Sequence, residues 1–202
     1  MLIMQLFKKT PKKRGYFVHI PKTAGGSMRY FSRHVGLEIV GHNLRDPNYQ
    51  YFKDYEDRMS YFSFAFARNP LDRAVSAFQF LSEGGINEED QKDAQQYVSP
   101  YKGDFNAFVH SELTKGEVLK QLHFMPQHNW ITDSAGKLCV DMICRFENLE
   151  QEVTKLNQLL NITKHFEMPL KNPSAKGKRI IDSKSESIIR EVYYKDYLMF
   201  NY

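Results

Sequence analysis

Cysteine is scarce: the 202 residues contain two, Cys139 and Cys144. Two thiols cannot staple a small secreted scaffold. An odd spacing of five puts them on opposite faces of a strand. They read as separate small hydrophobes, not as zinc ligands, and no metal site is expected. No run approaches the ~18 apolar residues needed to span a bilayer. Met1–Phe7 is too short for the apolar stretch of a signal sequence, and its charges follow it instead of preceding it. A cytoplasmic location is therefore expected. Eleven Gly and eight Pro are too few for a low-complexity or collagen-like chain. The charges nearly cancel, 28 Lys and Arg against 24 Asp and Glu, for a net +4. Such a balance calls for no nucleic-acid partner, but it suits small anionic ligands if the cations are focused in a cleft.

Apolar material is ample. Hydrophobic residues make up 42% of the chain, with 15 Phe and 12 Tyr, enough for a core in one domain of this length. Residues 1–14 carry Lys8, Lys9, Lys12, Lys13 and Arg14 and read as a flexible, solvated basic terminus. Residues 15–202 form the expected single domain.

Short apolar runs alternate with helical patterns. Tyr16–Ile20 reads as a buried strand stopped by Pro21, and a helix is expected from about Ser27 to Val35. Leu37–Val40 is a second short strand candidate, and Asn43–Met59 is mostly loop. Tyr61–Ala67 is the strongest strand candidate, with four aromatics in seven residues. Pro70 suits a helix N1 position, Leu71, Val75 and Phe78 give a helical stripe, and Gly84-Gly85 ends it. Ile86–Gly103 reads as a flexible insertion over a site. Helices are expected at Asp104–Leu113 and Glu117–Phe124, a strand at Leu138–Phe146, and a clear amphipathic helix through Leu149, Val153, Leu156, Leu159 and Leu160. Asp182–Tyr197 reads as one C-terminal helix with an aromatic tail. Strands followed by helices imply an α/β, three-layer domain around a central, mainly parallel sheet flanked by helices. Such sheets bind ligands at the carboxyl ends of their strands.

Two strand ends carry unusual chemistry. His19-Ile20-Pro21-Lys22-Thr23-Ala24-Gly25-Gly26-Ser27 joins a strand to a helix through small residues. These let backbone N–H groups approach a phosphate closely at a helix N-terminus. The loop is not a Walker A loop, because Lys precedes the glycines. Arg68-Asn69-Pro70-Leu71-Asp72-Arg73-Ala74-Val75-Ser76 offers Arg68 at a strand mouth and Ser76 on the following helix, able to grip one phosphate. Arg73 is expected to point elsewhere. Alone, each loop reads equally as an ordinary helix start.

Together the two loops resemble those of sulfotransferases that use 3′-phosphoadenosine 5′-phosphosulfate (PAPS), most of all the family-2 type that includes the carbohydrate and heparan sulfate 2-O-sulfotransferases. The resemblance continues through Phe124-Met125-Pro126-Gln127, Arg145-Phe146-Glu147-Asn148-Leu149 and the aromatic Tyr193–Tyr202. It implies a P-loop-NTPase-like fold and transfer of a sulfuryl group from PAPS to a hydroxyl acceptor, a carbohydrate, without a metal. It also implies that Lys22 contacts the phosphosulfate. Backbone N–H groups of Thr23, Ala24, Gly25, Gly26 and Ser27 would hold the 5′-phosphate, and Arg68 and Ser76 the 3′-phosphate. Ser174 and Lys176 lie on a basic loop that resembles the one closing over the nucleotide.

Transfer to a hydroxyl needs a base. The resemblance of Gly41-His42 to the base of the carbohydrate enzymes makes His42 the first candidate, and histidine titrates in the right range. His123, His128 and Glu147 are reserves, although Glu147 could simply cap the next helix. His19 reads as packed within a strand, and Trp130 as core. Two alternatives stay open: a nucleotide or small-molecule kinase of related fold, and a non-catalytic module that binds 3′-phosphoadenosine 5′-phosphate (PAP) or another polyanion.

Overall fold

The structure, a computed structural model, describes residues 14–35, 38–39, 60–162 and 180–202. Residues 1–13 with the lysines of the basic run, His42, the loop Asn43–Met59, Ser174 and Lys176 lie outside the described residues, whereas Arg14, expected in the flexible terminus, is the first residue of a strand.

Four strands form one sheet: β1 Arg14–Val18, β2 Glu38–Ile39, β3 Tyr61–Ala67 and β4 Met142–Arg145. Their order is β2-β1-β3-β4, and every pairing is parallel. The two-residue period of a strand sends alternate side chains to opposite faces. Phe17, Phe64 and Phe66 pack on one face with Met28 and Phe31 of α1 (Gly25–Val35) and with Val153 and Leu156 of α6 (Leu149–Leu159). Tyr16, Val18, Ala65 and Ala67 pack on the other with Trp130, Ile131 and Phe200. Helices therefore cover both faces. This is the α/β, three-layer arrangement of P-loop-like folds, and both aromatic-rich strands sit at its centre because they are apolar on both sides.

Helix α2 (Pro70–Ser82) starts as its sequence dictates. Asn69 Oδ1 accepts the backbone N–H of Leu71 at 3.0 Å, and Pro70 opens the first turn. Its Ala74, Ala77, Phe78 and Leu81 bury against a helical layer that includes Val98, Phe108, Val109, Phe124 and Ile189. Past its end, Gly85 has φ +66, and a β-carbon there would overlap Asp90, so the bend requires glycine.

Four expectations change. Ile86–Gly103 is helical: α3 (Glu88–Asp93), capped by Asn87, runs on through a π-turn (Ala94–Val98) and a 3-10 turn (Ser99–Tyr101). Ala94 and Val98 anchor it in the core with Tyr97 and Tyr101 packed beside them, but the helical spacing starts only at Ala94, after a polar first helix. The short helices α4 (Phe105–Phe108) and α5 (His128–Ile131) follow, and Glu117–Lys120 is a single 3-10 turn instead of a helix to Phe124. The strand expected from Leu138 starts only at Met142. Leu138 bridges back to Thr132, and the Cys139 N–H donates to Ile131 O at 2.7 Å. Cys139 thus lies before the strand and only Cys144 is in it, buried. The C-terminal helix breaks at Tyr193 into α7 (Ser183–Val192) and α8 (Tyr194–Phe200). The Tyr193 hydroxyl leaves the helix line to donate to Phe124 O at 2.8 Å.

Candidate active site

The chain leaves β1 through α1 to reach β2 on one side, while β3 pairs with the other side of β1. At such a divergence the carboxyl ends of two parallel strands flank a crevice. The loops after β1 and β3 both open there.

The first loop is held in an uncommon shape. Lys22 has φ 69° and Ala24 φ 79°, with Thr23 between them outside the left-handed region. Alternation of this kind turns successive backbone N–H groups to one side, a concavity suited to an anion. Left-handed backbone costs a non-glycine residue about 1–2 kcal/mol, so the loop needs external support. Buried Thr23 donates from Oγ1 to Ile20 O at 2.8 Å. Arg73 reaches in from α2, donating from Nε to Pro21 O and from Nη1 to Met125 O, both at 2.9 Å. Gly25 must lack a side chain, because a β-carbon would overlap the His19 imidazole.

The second loop presents Arg68. Its backbone is fixed by a reciprocal pair. The Arg68 N–H donates to Gln127 Oε1 at 3.0 Å, and Gln127 Nε2 donates to Arg68 O at 2.8 Å. Its guanidinium lies over the Phe146 ring, 4.5 Å from the centroid, and Nη1 donates to Lys22 O at 3.3 Å. The two loops are therefore bonded to each other. Gln127 is in turn held by buried Asp196, whose Oδ2 accepts the Gln127 N–H at 2.7 Å.

Lys22, Ala24, Gly25, Gly26, Ser27, Arg68 and Ser76 line a single cleft of about 660 Å³, a size typical of small-molecule sites. Thr23 lies beneath the loop, fully buried. Ser76, Gln79 and Phe80 of α2, with Glu83 just past it, form a stripe along the cleft at helical spacing. The Lys22 ammonium rests on the Phe80 ring, 3.8 Å from its centroid. Burial, reinforced by the Arg68 charge, pulls the Lys22 pKa down to about 8; Asp90 and Glu83 oppose the shift. Burial also pushes the Arg68 guanidinium below its ordinary value, against the pull of Asp72 and Glu147. Two desolvated cations thus face one cavity, an arrangement suited to an anion.

A family model described as the sulfotransferase family matches residues 7–202. The chain belongs to the sulfotransferase family. No curated protein and no solved structure matches it.

Several placements in this sulfotransferase go beyond the sequence or correct it. His19 is not inside the strand, which ends at Val18; it lines the cleft, its ring over Gly25 and 5.7 Å from that of Phe17. Glu147 does not cap the helix that follows it. Its Oε1 accepts the Asn69 N–H at 2.8 Å and its Oε2 accepts the Tyr202 hydroxyl at 2.6 Å. Arg145 donates from Nη2 to the carbonyls of Phe200 and Asn201, both at 2.6 Å. The Arg145-Phe146-Glu147 run thus ties the C-terminal tail beneath Arg68 and Asn69. His128 is engaged too, with Nδ1 2.7 Å from Asp196 Oδ1. His123 does line the cleft, packed on Phe80 at 4.9 Å between ring centroids. Arg73, Gln127 and Phe146 support the site with no signal in the sequence beyond their place in motifs. No helix among the described residues is long and apolar enough to cross a membrane.

Proposed function

We propose that this sulfotransferase moves a sulfuryl group from PAPS to a hydroxyl of a carbohydrate acceptor. One observation carries this most directly: two loops suited to anions, bonded to each other, converge on one cleft, with Lys22 on the first and Arg68 on the second. PAPS bears anions at two places, and the residues present fit both. The N–H concavity from Thr23 to Ser27, at the start of α1, suits the 5′-phosphate. Arg68 and Ser76 suit the 3′-phosphate.

When bound, PAPS supplies an activated sulfuryl group whose S–O bond to the 5′-phosphate breaks as the acceptor oxygen bonds to sulfur, the electron pair leaving on PAP. Lys22 sits to neutralise charge on the bridging oxygen. Arg68 and the loop N–H groups hold the nucleotide so that displacement is in line. His42 is the proposed base for the acceptor proton, on the strength of the resemblance. Ser174 and Lys176 are proposed to close over the nucleotide.

Calorimetric titration with PAP, ADP and ATP, without added metal, tests this. PAP is expected to bind far more tightly than ADP or ATP. Arg68→Ala should weaken PAP by about 10–100-fold, the worth of a charge-assisted hydrogen bond, and leave ADP nearly unchanged. A Mg²⁺-dependent preference for ATP would replace this reading with a kinase.

Lys22 adds a pH signature. With its pKa near 8 in the free protein, about half of the ammonium is lost at that pH, and a bound anion restores it. PAP binding slightly above pH 8 should therefore take up part of a proton, and binding near pH 6 almost none. Titration in buffers of different ionisation enthalpy measures the uptake. Equal heats in all buffers above pH 8 would place Lys22 away from the ligand.

A further inference from the structure

The cleft extends beyond Lys22, and its character changes there. The far wall is made by Glu83, Ile86, Asn87 and Asp90 after α2, with Leu122 and His123. Every cation lining the cleft among the described residues is on the donor side: Lys22, Arg68, and Arg29 on α1. The far wall contributes two carboxylates and an imidazole, and none of its described residues is Lys or Arg.

That wall is rigid. Asp90 is 6% exposed; its Oδ2 accepts the Ile86 N–H at 3.0 Å, and its Oδ1 lies 3.8 Å from His123 Nε2. His123 packs in turn on Phe80, the ring that carries the Lys22 ammonium. Yet two large apolar side chains at this end stand in water: Ile86 is 78% exposed and Leu122 39%. Exposed apolar side chains beside a candidate reaction centre offer a surface that an apolar group of a ligand can cover.

We propose that the far wall is the acceptor subsite and that it takes an uncharged glycoside with an apolar face or aglycone, refusing polyanionic glycans. The proposal rests on the sulfotransferase reading of the cleft and narrows its acceptor class. An apolar group laid on Ile86, Leu122 and the Phe80–His123 pair leaves water there. A carboxylated or sulfated glycan would meet Glu83 and Asp90, whose charges already act on Lys22, and among the described residues that wall has no Lys or Arg of its own to offset the repulsion. The acceptor class implied by the heparan sulfate resemblance therefore does not carry over, although the donor loops do.

The test is acceptor binding to the dead-end complex with saturating PAP, which keeps anions off the donor site. Calorimetry would compare octyl glycosides of glucose and galactose, below their micelle concentrations, with the methyl glycosides and with a uronate-containing oligosaccharide. At least one octyl glycoside is expected to bind ten or more times more tightly than its methyl counterpart, and the uronate oligosaccharide not at all. In the double variant Ile86→Lys with Leu122→Lys, octyl glycoside affinity should fall about tenfold or more, the worth of an apolar contact of that size. PAP affinity should be unchanged. Tight binding of the uronate oligosaccharide, no gain from the octyl chain, or indifference to the double substitution would each overturn the proposal. Failure of PAP itself to bind would instead remove the sulfotransferase reading on which it rests.

Discussion

Replacing Lys22 with alanine is expected to lower kcat for sulfuryl transfer by about 10²–10³-fold, the cost of removing one preorganised charge from a developing anion. The protein should stay folded. Alanine inherits the left-handed backbone of Lys22, φ 69°, so the substitution adds little strain. The ammonium is also a burden to the folded state. Its pKa falls from the ordinary 10.5 to about 8 on folding, chiefly through burial. A lysine whose pKa falls on folding gives up its proton more readily in the native state. Stability therefore rises as pH climbs from about 8 to 10.5, and below 8 the full penalty is present. Removing the group at neutral pH relieves that penalty. The combination expected is a lost rate with an unchanged or raised Tm, read from PAP release and from a thermal scan. Wild-type turnover in Lys22→Ala would take this residue out of the chemistry.

Arg73→Met should do the reverse: damage the fold first and the ligand site through it. The guanidinium is 2% exposed and joins α2 to the backbone of both Pro21 and Met125. A buried charge replaced by a well-packed apolar group is sometimes harmless. Here the partners are main-chain carbonyls, and methionine leaves both unpaired. Each buried, unsatisfied carbonyl costs about 1–3 kcal/mol. The total, near 3 kcal/mol or more, corresponds to a Tm lower by about 6–12 °C in a chain of this size. Because Pro21 precedes the strained Lys22, PAP affinity should drop as well, although Arg73 faces the interior and not the cleft. Arg73→Lys should recover only part of either loss, since a single ammonium cannot reproduce the planar fork. A Tm within a degree of wild type would show that the loop is held by other contacts.

The contrast between these two residues reflects what a linear sequence displays. Both are single basic residues in short polar motifs, and neither is marked as surface or interior by its neighbours. Lys22 stands out because small residues follow it, the pattern of a loop that wraps an anion. The expectation that Arg73 points away from the phosphate follows from its spacing to Arg68. That it instead clamps the other loop, 52 residues away in the chain, depends on the pairing of β1 with β3, which sets the loops after them side by side and which no local pattern encodes. Phe146 and Gln127 are alike in this. Their motifs draw attention, but their work, stacking under one arginine and pinning its backbone, exists only once β3, β4 and α5 are neighbours.

Local physical chemistry was enough for some of the elements. Aromatic, apolar runs specify β1 and β3, because such residues can only be buried on both faces of a central sheet. Asn69-Pro70 specifies the start of α2, because proline has no N–H to lose there and the asparagine side chain accepts one that would otherwise be orphaned. The stripe of Val153 and Leu156 specifies α6. The stretch after Gly85 failed to show its helices because its first turns are polar and held by the Asn87 cap, and its apolar contacts begin only at Ala94. The parallel order β2-β1-β3-β4, and with it the placement of Lys22, Arg68 and Ser76 around one cleft, was decided by tertiary structure alone. Strand pairing is a contest between distant segments for the same hydrogen bonds and the same buried face, and its outcome depends on packing across the whole core. The division of that cleft into a cationic end and an apolar, acidic end was decided the same way, by which side chains the bend after α2 turns toward Lys22.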